Sequence, residues 1–143
     1  MKFESKYSGV IEIDDEQIIT LNEGFFGFED FHKFVMFAAH LEPFVWIECL
    51  EKGGPSFLVI DPFIFRPDYE IEIEDEVAQV LALESPKDVL IYALVTISDK
   101  EKPMTANLQG PLIINKKNKK AMQVVAGGEW KTKHDIIDEF KKG

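Results

Sequence analysis

A chain of 143 residues with 45% hydrophobic side chains is one domain's worth of sequence, long enough to bury roughly 68–70% of its unfolded surface, and a second full domain is not expected. Its 26 acidic residues against 16 basic ones give a formal charge of −10, which repels polyphosphate and anionic lipid and disfavours a general nucleic-acid or membrane-surface binder. The opening MKFESKYSG lacks the apolar run of a signal peptide and the one cysteine, Cys49, has no partner for an internal disulfide, so a soluble protein of a reducing, cytoplasmic compartment is expected.

From Val10 the residues alternate between acidic and apolar, and after Asp14-Asp15-Glu16-Gln17 the run IITL resumes the apolar content; the pattern predicts a β-hairpin turned by Asp14 to Gln17. Asn22 to Phe28 keeps neither strand nor helix period, with Gly24 and Gly27 bracketing two phenylalanines, and reads as a structured loop. Three short apolar runs follow, Lys33 to Ala39, Phe44 to Leu50 and Ser56 to Ile60, separated by Leu41-Glu42-Pro43 and Lys52-Gly53-Gly54-Pro55, a meander of three strands.

Asp61-Pro62 and Arg66-Pro67-Asp68 frame an irregular segment, because proline donates no hydrogen bond and disfavours α conformation before it. In Tyr69 to Glu74 isoleucines alternate with acids as on an edge strand, whereas Val77, Val80 and Leu81 fall at helical spacing. Ser85-Pro86-Lys87-Asp88 carries the cap and first-position proline of a single helical turn, and Val89 to Ile97 is the most continuous apolar strand, expected to be central. An all-charged turn over Asp99 to Lys102 precedes a strand, a hairpin tip at Lys116 to Lys120 and a returning strand. In the last stretch Ile136, Ile137 and Phe140 share one face of an amphipathic helix. The sum is a mainly β protein: a small antiparallel β-barrel-like domain with one or two short helices, residues 1–128, and a charged tail of helical pattern, residues 129–143.

Charge and aromatic content are both uneven. Residues 1–98 hold 20 acidic and 6 basic side chains, a formal −14, while the remainder is +4. Eleven of the 12 phenylalanines precede Arg66, so the first half builds the aromatic core. Three of them lie in the Gly-bounded loop. Phe28 is expected to plug the barrel end, and at least one of Phe25 and Phe26 to stay exposed in a protein-binding patch rimmed by Glu29 and Asp30.

Catalytic patterns are weak. His32, His40, His134 and Cys49 lie far apart in sequence, so no metal site is expected. Neither a G-x-S-x-G turn nor a Gly-rich phosphate cradle is present. The paired carboxylates Asp14, Asp15 and Glu16, and Glu70, Glu72, Glu74 and Glu76, suit a solvated turn and an edge strand better than an acid–base pair. On the edge strand they guard against aggregation or offer a docking strip to a basic partner. The basic tip KKNKK has no interleaved aromatic to stack a base, so direct nucleic-acid binding is not expected.

Four ordered segments, GFFGFEDF, WIECLEKGGPSFLVIDPFIFRPDYEIEI, LESPKDVLIYALVTI and MTANLQGPLIINKKNKKAMQVV, resemble the FliW family of flagellar assembly factors. The family's G-[IF]-x-G-F-E pattern falls on Gly24, Gly27, Phe28 and Glu29. Its V-I-D-P-F segment falls on Val59 to Phe63, including Asp61 and Pro62. Its M-T-A-N-L-x-x-P-I/L-x-I-N segment falls on Met104 to Asn115, including Asn107 and Pro111. These signature residues are read as structural. The tail after Gly128 departs from the short family ending. The resemblance implies a non-enzymatic cytoplasmic protein without cofactors that binds two partners, the translational repressor CsrA and flagellin, relieving repression when free and restoring it when flagellin occupies it. Phe25, Phe26, Glu29, the acids 14–16 and Glu70, Glu72 and Glu74 are the candidate contacts. An acidic barrel with other partners and a weak RNA-binding barrel are the alternatives.

Overall fold

The structure, a computed structural model, describes residues 1–97 and 104–136. Among these the strands are β1 (Lys2–Ser5), β2 (Gly9–Glu12), β3 (Ile18–Thr20), β4 (Lys33–Ala38), β5 (Val45–Cys49), β6 (Ser56–Ile60), β7 (Val89–Thr96), β8 (Thr105–Asn115), β9 (Ala121–Gln123) and β10 (His134–Asp135). One short helix, α1, spans Asp75–Val80. β1 and β2 form a two-stranded sheet, and the large antiparallel sheet runs β10-β8-β7-β6-β5-β4-β3 with β9 also on β8. Thr20, ending β3, bridges Lys120 just before β9, its N–H donating to the Lys119 carbonyl at 2.9 Å. The sheet thus rolls nearly shut into the barrel-like form, mainly β, that the strand pattern predicts.

The meander is as expected: Met36 faces Ile47, and Ile47 faces Phe57. β7 is central, lying between β6 and β8, yet most of its side chains are only half-buried, and among the described strands it is β8 that holds an unbroken buried run, from Gly110 to Asn115. Two clusters fill the interior, one around Phe25, Phe34, Ile47, Val59 and Leu112, the other around Ile60, Tyr69, Ala93, Leu108 and Ile136.

Three expectations are corrected. The hairpin turned by Asp14 to Gln17 does not form. β2 pairs with β1, Lys2 opposite Glu12, while β3 pairs with β4. The 3-10 turn Asp15–Gln17, tied by the Gln17 side chain accepting from the Asp14 N–H at 2.8 Å, carries the chain from one sheet to the other. Tyr69 to Glu74 is no edge strand. Its side chains alternate in and out, but it pairs with no strand. Beyond Gly128 the described residues return to the sheet: His134 pairs with Ala106 in β10, Leu108 N–H donates to Lys131 O at 2.9 Å, and Ile136 is fully buried. His134–Asp135 is therefore strand, because β8 leaves an open edge there to satisfy its backbone, while Ile136, the first residue of the expected helical face, is helical. Ile137 and Phe140 of that helix, and the turn Asp99 to Lys102, lie outside the described residues.

A buried carboxylate holds the small sheet to the large one. Glu48 on β5, 1% exposed, accepts from the Ser5 hydroxyl, from the Lys6 N–H at 2.9 Å and from the Ser56 hydroxyl at 3.1 Å. Several donors offset the desolvation of such a group. Beside it the Tyr7 ring stacks on Trp46 with centroids 4.5 Å apart.

Leu112→Ala is expected to cost about 2–5 kcal/mol, since packing from both faces leaves little room to collapse; a lowered urea midpoint checks this. Truncation after Gly128 is expected to lower the melting temperature, because it strips Trp130 and Ile136 from the second cluster.

Candidate functional site

The Gly-bounded loop is positioned by a bulge in the barrel wall. Stepping from Tyr92 to Leu94 on β7 crosses from Leu112 to Asn107 on β8, so β8 bulges between those residues. Asn107 closes the bulge, its side-chain oxygen accepting from the N–H groups of Gln109 at 3.0 Å and Gly110 at 2.8 Å. Gln123 of β9 then joins bulge to loop: its amide donates to Gly110 O at 2.9 Å and accepts from the Phe26 N–H at 2.9 Å. Sequence reasoning missed Gln123, because a glutamine on a three-residue strand carries no local sign of what it will reach.

Within the loop Gly24 sits at φ +69°, where an added Cβ would stand 2.7 Å from the Glu29 Cα and the Phe28 carbonyl; no other residue fits. Glu29 accepts from the Gly27 N–H at 3.1 Å, tying the turn rather than reaching outward. The expected plug is a different phenylalanine. Phe25 is buried, edge-on to Phe34 at 5.0 Å and against Phe57 at 4.4 Å, and has no surface left for a partner. Phe28 stays 41% exposed at the rim, and Phe26 is 53% exposed.

Phe26 overlooks a groove of 370 Å³ between the segment from Glu72 through α1 and the end of β9. Its apolar side chains include Val77, Val80, Met122 and Val125, and the charged groups lining it, Glu23, Glu72, Glu74 and Glu76, are all acids. Tertiary structure thus brings together three of the expected contacts, Phe26, Glu72 and Glu74. It does not bring in the others. Asp14, Asp15 and Glu16 lie on the 3-10 turn and its entry, between the sheets, and Glu70 lines an adjoining hollow of 830 Å³ with Arg66 and Trp130, which shares Glu72 with the groove. There the Trp130 indole N–H donates to Glu70 O at 2.9 Å, and Arg66 lies 5.4 Å over the indole ring.

The remaining signature residues have local bonding roles. Asp61 accepts from the Phe63 N–H at 2.9 Å, capping the turn that buried Pro62 begins. Pro111 O accepts from the Val124 N–H at 3.0 Å, holding β9 to β8. The Asn115 amide donates to Leu81 O at 2.8 Å, and Asn118 donates to the same carbonyl at 3.0 Å. The basic tip therefore ties down the C-terminal end of α1. One of its lysines, Lys117, also pairs with Asp88 at 3.5 Å. Burial raises the Cys49 thiol above its ordinary range. Among the described residues no three His, Cys, Asp or Glu side chains are grouped to hold a metal ion, and no helix is long and apolar enough to cross a membrane.

Gln123→Leu is expected to destabilise the fold by about 1–3 kcal/mol, since the Gly110 carbonyl and the Phe26 N–H lose their partner together; thermal melts alongside loop proteolysis check it. Burial pushes the Tyr69 hydroxyl, which donates to Leu108 O at 2.6 Å, up to about 12 from 10.0. The neutral form is the one the fold favours. Its stabilising contribution is thus full below pH 10 and lost as pH rises toward 12. Burial, with the nearby Asp61 carboxylate, also raises the Tyr92 hydroxyl, so ultraviolet titration should show two delayed tyrosinate steps, of which Tyr69→Phe removes the one near 12.

Comparison with known proteins agrees with this architecture along nearly the whole chain. The family model described as FliW protein matches residues 2–136. The flagellar assembly factor FliW of Treponema denticola is 56% identical over 141 residues, spanning 98% of this chain and 96% of that protein. Its counterpart in Treponema pallidum is 51% identical over 98% of this chain and 94% of its own length. A crystal structure of the flagellar assembly factor FliW superposes with a TM-score of 0.86 at 32% identity, covering 95% of this chain and 96% of that one. The tail expected to depart from the family is largely shared, since both Treponema alignments run through almost all of it. The matched residues include the Gly-bounded loop, the bulge and the wall of the acidic groove, and the chain belongs to the FliW family of flagellar assembly factors.

Proposed function

We propose that the protein works in the cytoplasm as a non-enzymatic flagellar assembly factor that binds the translational regulator CsrA and relieves its repression, and that binds unsecreted flagellin, so that flagellin synthesis follows export. The observation that carries this reading is the open apolar groove with an exclusively acidic charged lining, overlooked by the half-exposed Phe26. An exposed aromatic beside aliphatic side chains supplies affinity on desolvation, and the acids select a partner whose docking surface is basic, as that of an RNA-binding regulator must be. A partner held here also stands near the acidic part of the chain, a formal −14 over residues 1–98. Within a Debye length of ~8 Å that field repels RNA phosphates. Antagonism then proceeds without occupation of the RNA groove.

Glu72→Lys combined with Glu74→Lys is expected to leave the melting temperature within about 1 °C, because exposed charges contribute little to stability, while weakening CsrA capture at least about tenfold. Calorimetric titration of purified CsrA reads both outcomes. Unchanged affinity would place the CsrA site elsewhere on the barrel. RNA should persist on the ternary complex as salt is raised; complete mutual exclusion of RNA and this protein at every ionic strength would refute the electrostatic route. Titrated flagellin should release CsrA from the complex, and failure to do so would remove the coupling.

A further inference from the structure

The segment that runs from the neighbouring hollow into the acidic groove, lining it from Glu72 on, is built like a strand and pairs like a loop. From Tyr69 to Glu74 the side chains alternate buried, exposed, half-buried, exposed, half-buried, exposed, the period of a β-strand, and Glu74 itself has extended backbone at φ −65°, ψ 152°. Yet the Glu70 carbonyl is taken by the Trp130 indole, while the N–H and C=O groups of Ile71, Glu72 and Ile73 bond to no described residue. Backbone groups left in this state beside an apolar surface are a template for an incoming strand.

We propose that the groove accepts an extended basic segment of a protein partner as an added strand along Ile71–Ile73, a binding mode that rests on the partner-binding reading above. Main-chain hydrogen bonds to the unpaired wall supply part of the affinity, and side chains of alternate residues enter the groove. The period-2 geometry then sets the chemistry of the segment. Apolar side chains on one phase meet Val80, Met122 and Val125, and lysine or arginine on the other phase meets Glu72 and Glu74. Charge complementarity selects this occupant over a second copy of the chain, whose own groove-facing segment is acidic. It also selects a protein strand over a polyanion.

The test uses the intact protein and a short synthetic peptide alternating lysine and valine, followed by fluorescence anisotropy. Two further peptides carry N-methyl groups on the odd or the even amides, one replaces lysine with glutamate, and one of the same composition is locked as a helix by a side-chain staple. The parent peptide should bind; one of the two N-methylated forms should bind about tenfold or more weakly; and the glutamate form should not bind. Glu72→Lys with Glu74→Lys should abolish binding. Glu42→Lys with Glu84→Lys, the same change of charge outside the groove, should retain most of it. Absence of parent binding, equal binding of both N-methylated forms, tighter binding of the stapled helix, or equal loss in the two double variants overturns strand addition. These results leave CsrA and flagellin capture to stand on their own titrations. Conversely, strand pairing that persists while neither protein is captured overturns the assigned partners and keeps the binding mode.

Discussion

The amide of Gln123 joins two irregular pieces of backbone that no ladder can serve: the bulge in β8 at Gly110 and the loop N–H of Phe26. A primary amide suits this position because it donates and accepts at once, and a buried polar group satisfied at both ends specifies one arrangement against its neighbours. With the Phe26 backbone held there, Phe25 turns into the aromatic cluster and Phe26 turns out over the groove. The bulge itself depends on Asn107, which satisfies two N–H groups that β8 would otherwise leave unpaired. The position of the exposed aromatic is thus set from inside the barrel.

Other polar side chains repeat this role at the remaining joints. Glu48 collects Ser5, Lys6 and Ser56 and clamps the two-stranded sheet across β5. Asn115 and Asn118 reach back from the basic tip to the carbonyls that close α1, which supports the helix forming part of the groove wall. Trp130 and Ile136 bring the chain beyond Gly128 onto the second cluster. The elements between these joints are short strands whose own ladders are simple; the joints decide how the strands are arranged.

Charge follows a different logic from packing. The acidic excess is spread along the first two thirds of the chain, but the fold concentrates it usefully in one place, where Glu23, Glu72, Glu74 and Glu76 share a concavity with aliphatic side chains. The acids at 14–16 and Glu70 remain part of the general field without joining that surface. Four acids around one apolar groove favour a basic partner on encounter, and the aliphatic residues between them provide contact area once it arrives.

Local periodicity and turn chemistry determined much of this protein without any tertiary information. The meander from Lys33 to Ile60, the single turn after Ser85, the short helix after Asp75 and the long hairpin through Lys116–Lys120 are all set by alternation, helical spacing and proline or capping residues acting within a few positions. Family signatures were legible for the same reason, since motifs such as GFFGFE and MTANL are contiguous in the chain. The tertiary structure decided which strand meets which. β2 turned to β1 and not to β3, Tyr69 to Glu74 kept strand-like alternation without gaining a partner, and His134–Asp135 became strand because β8 had an edge to fill. It also decided that Phe25 rather than Phe28 is the plug and that Glu72 and Glu74 meet Phe26 while Glu70 does not. Alternation tells which face of a strand is apolar; pairing partners and the meeting of residues 26, 72 and 125 depend on long-range hydrogen bonds and burial, to which no short window of sequence is sensitive.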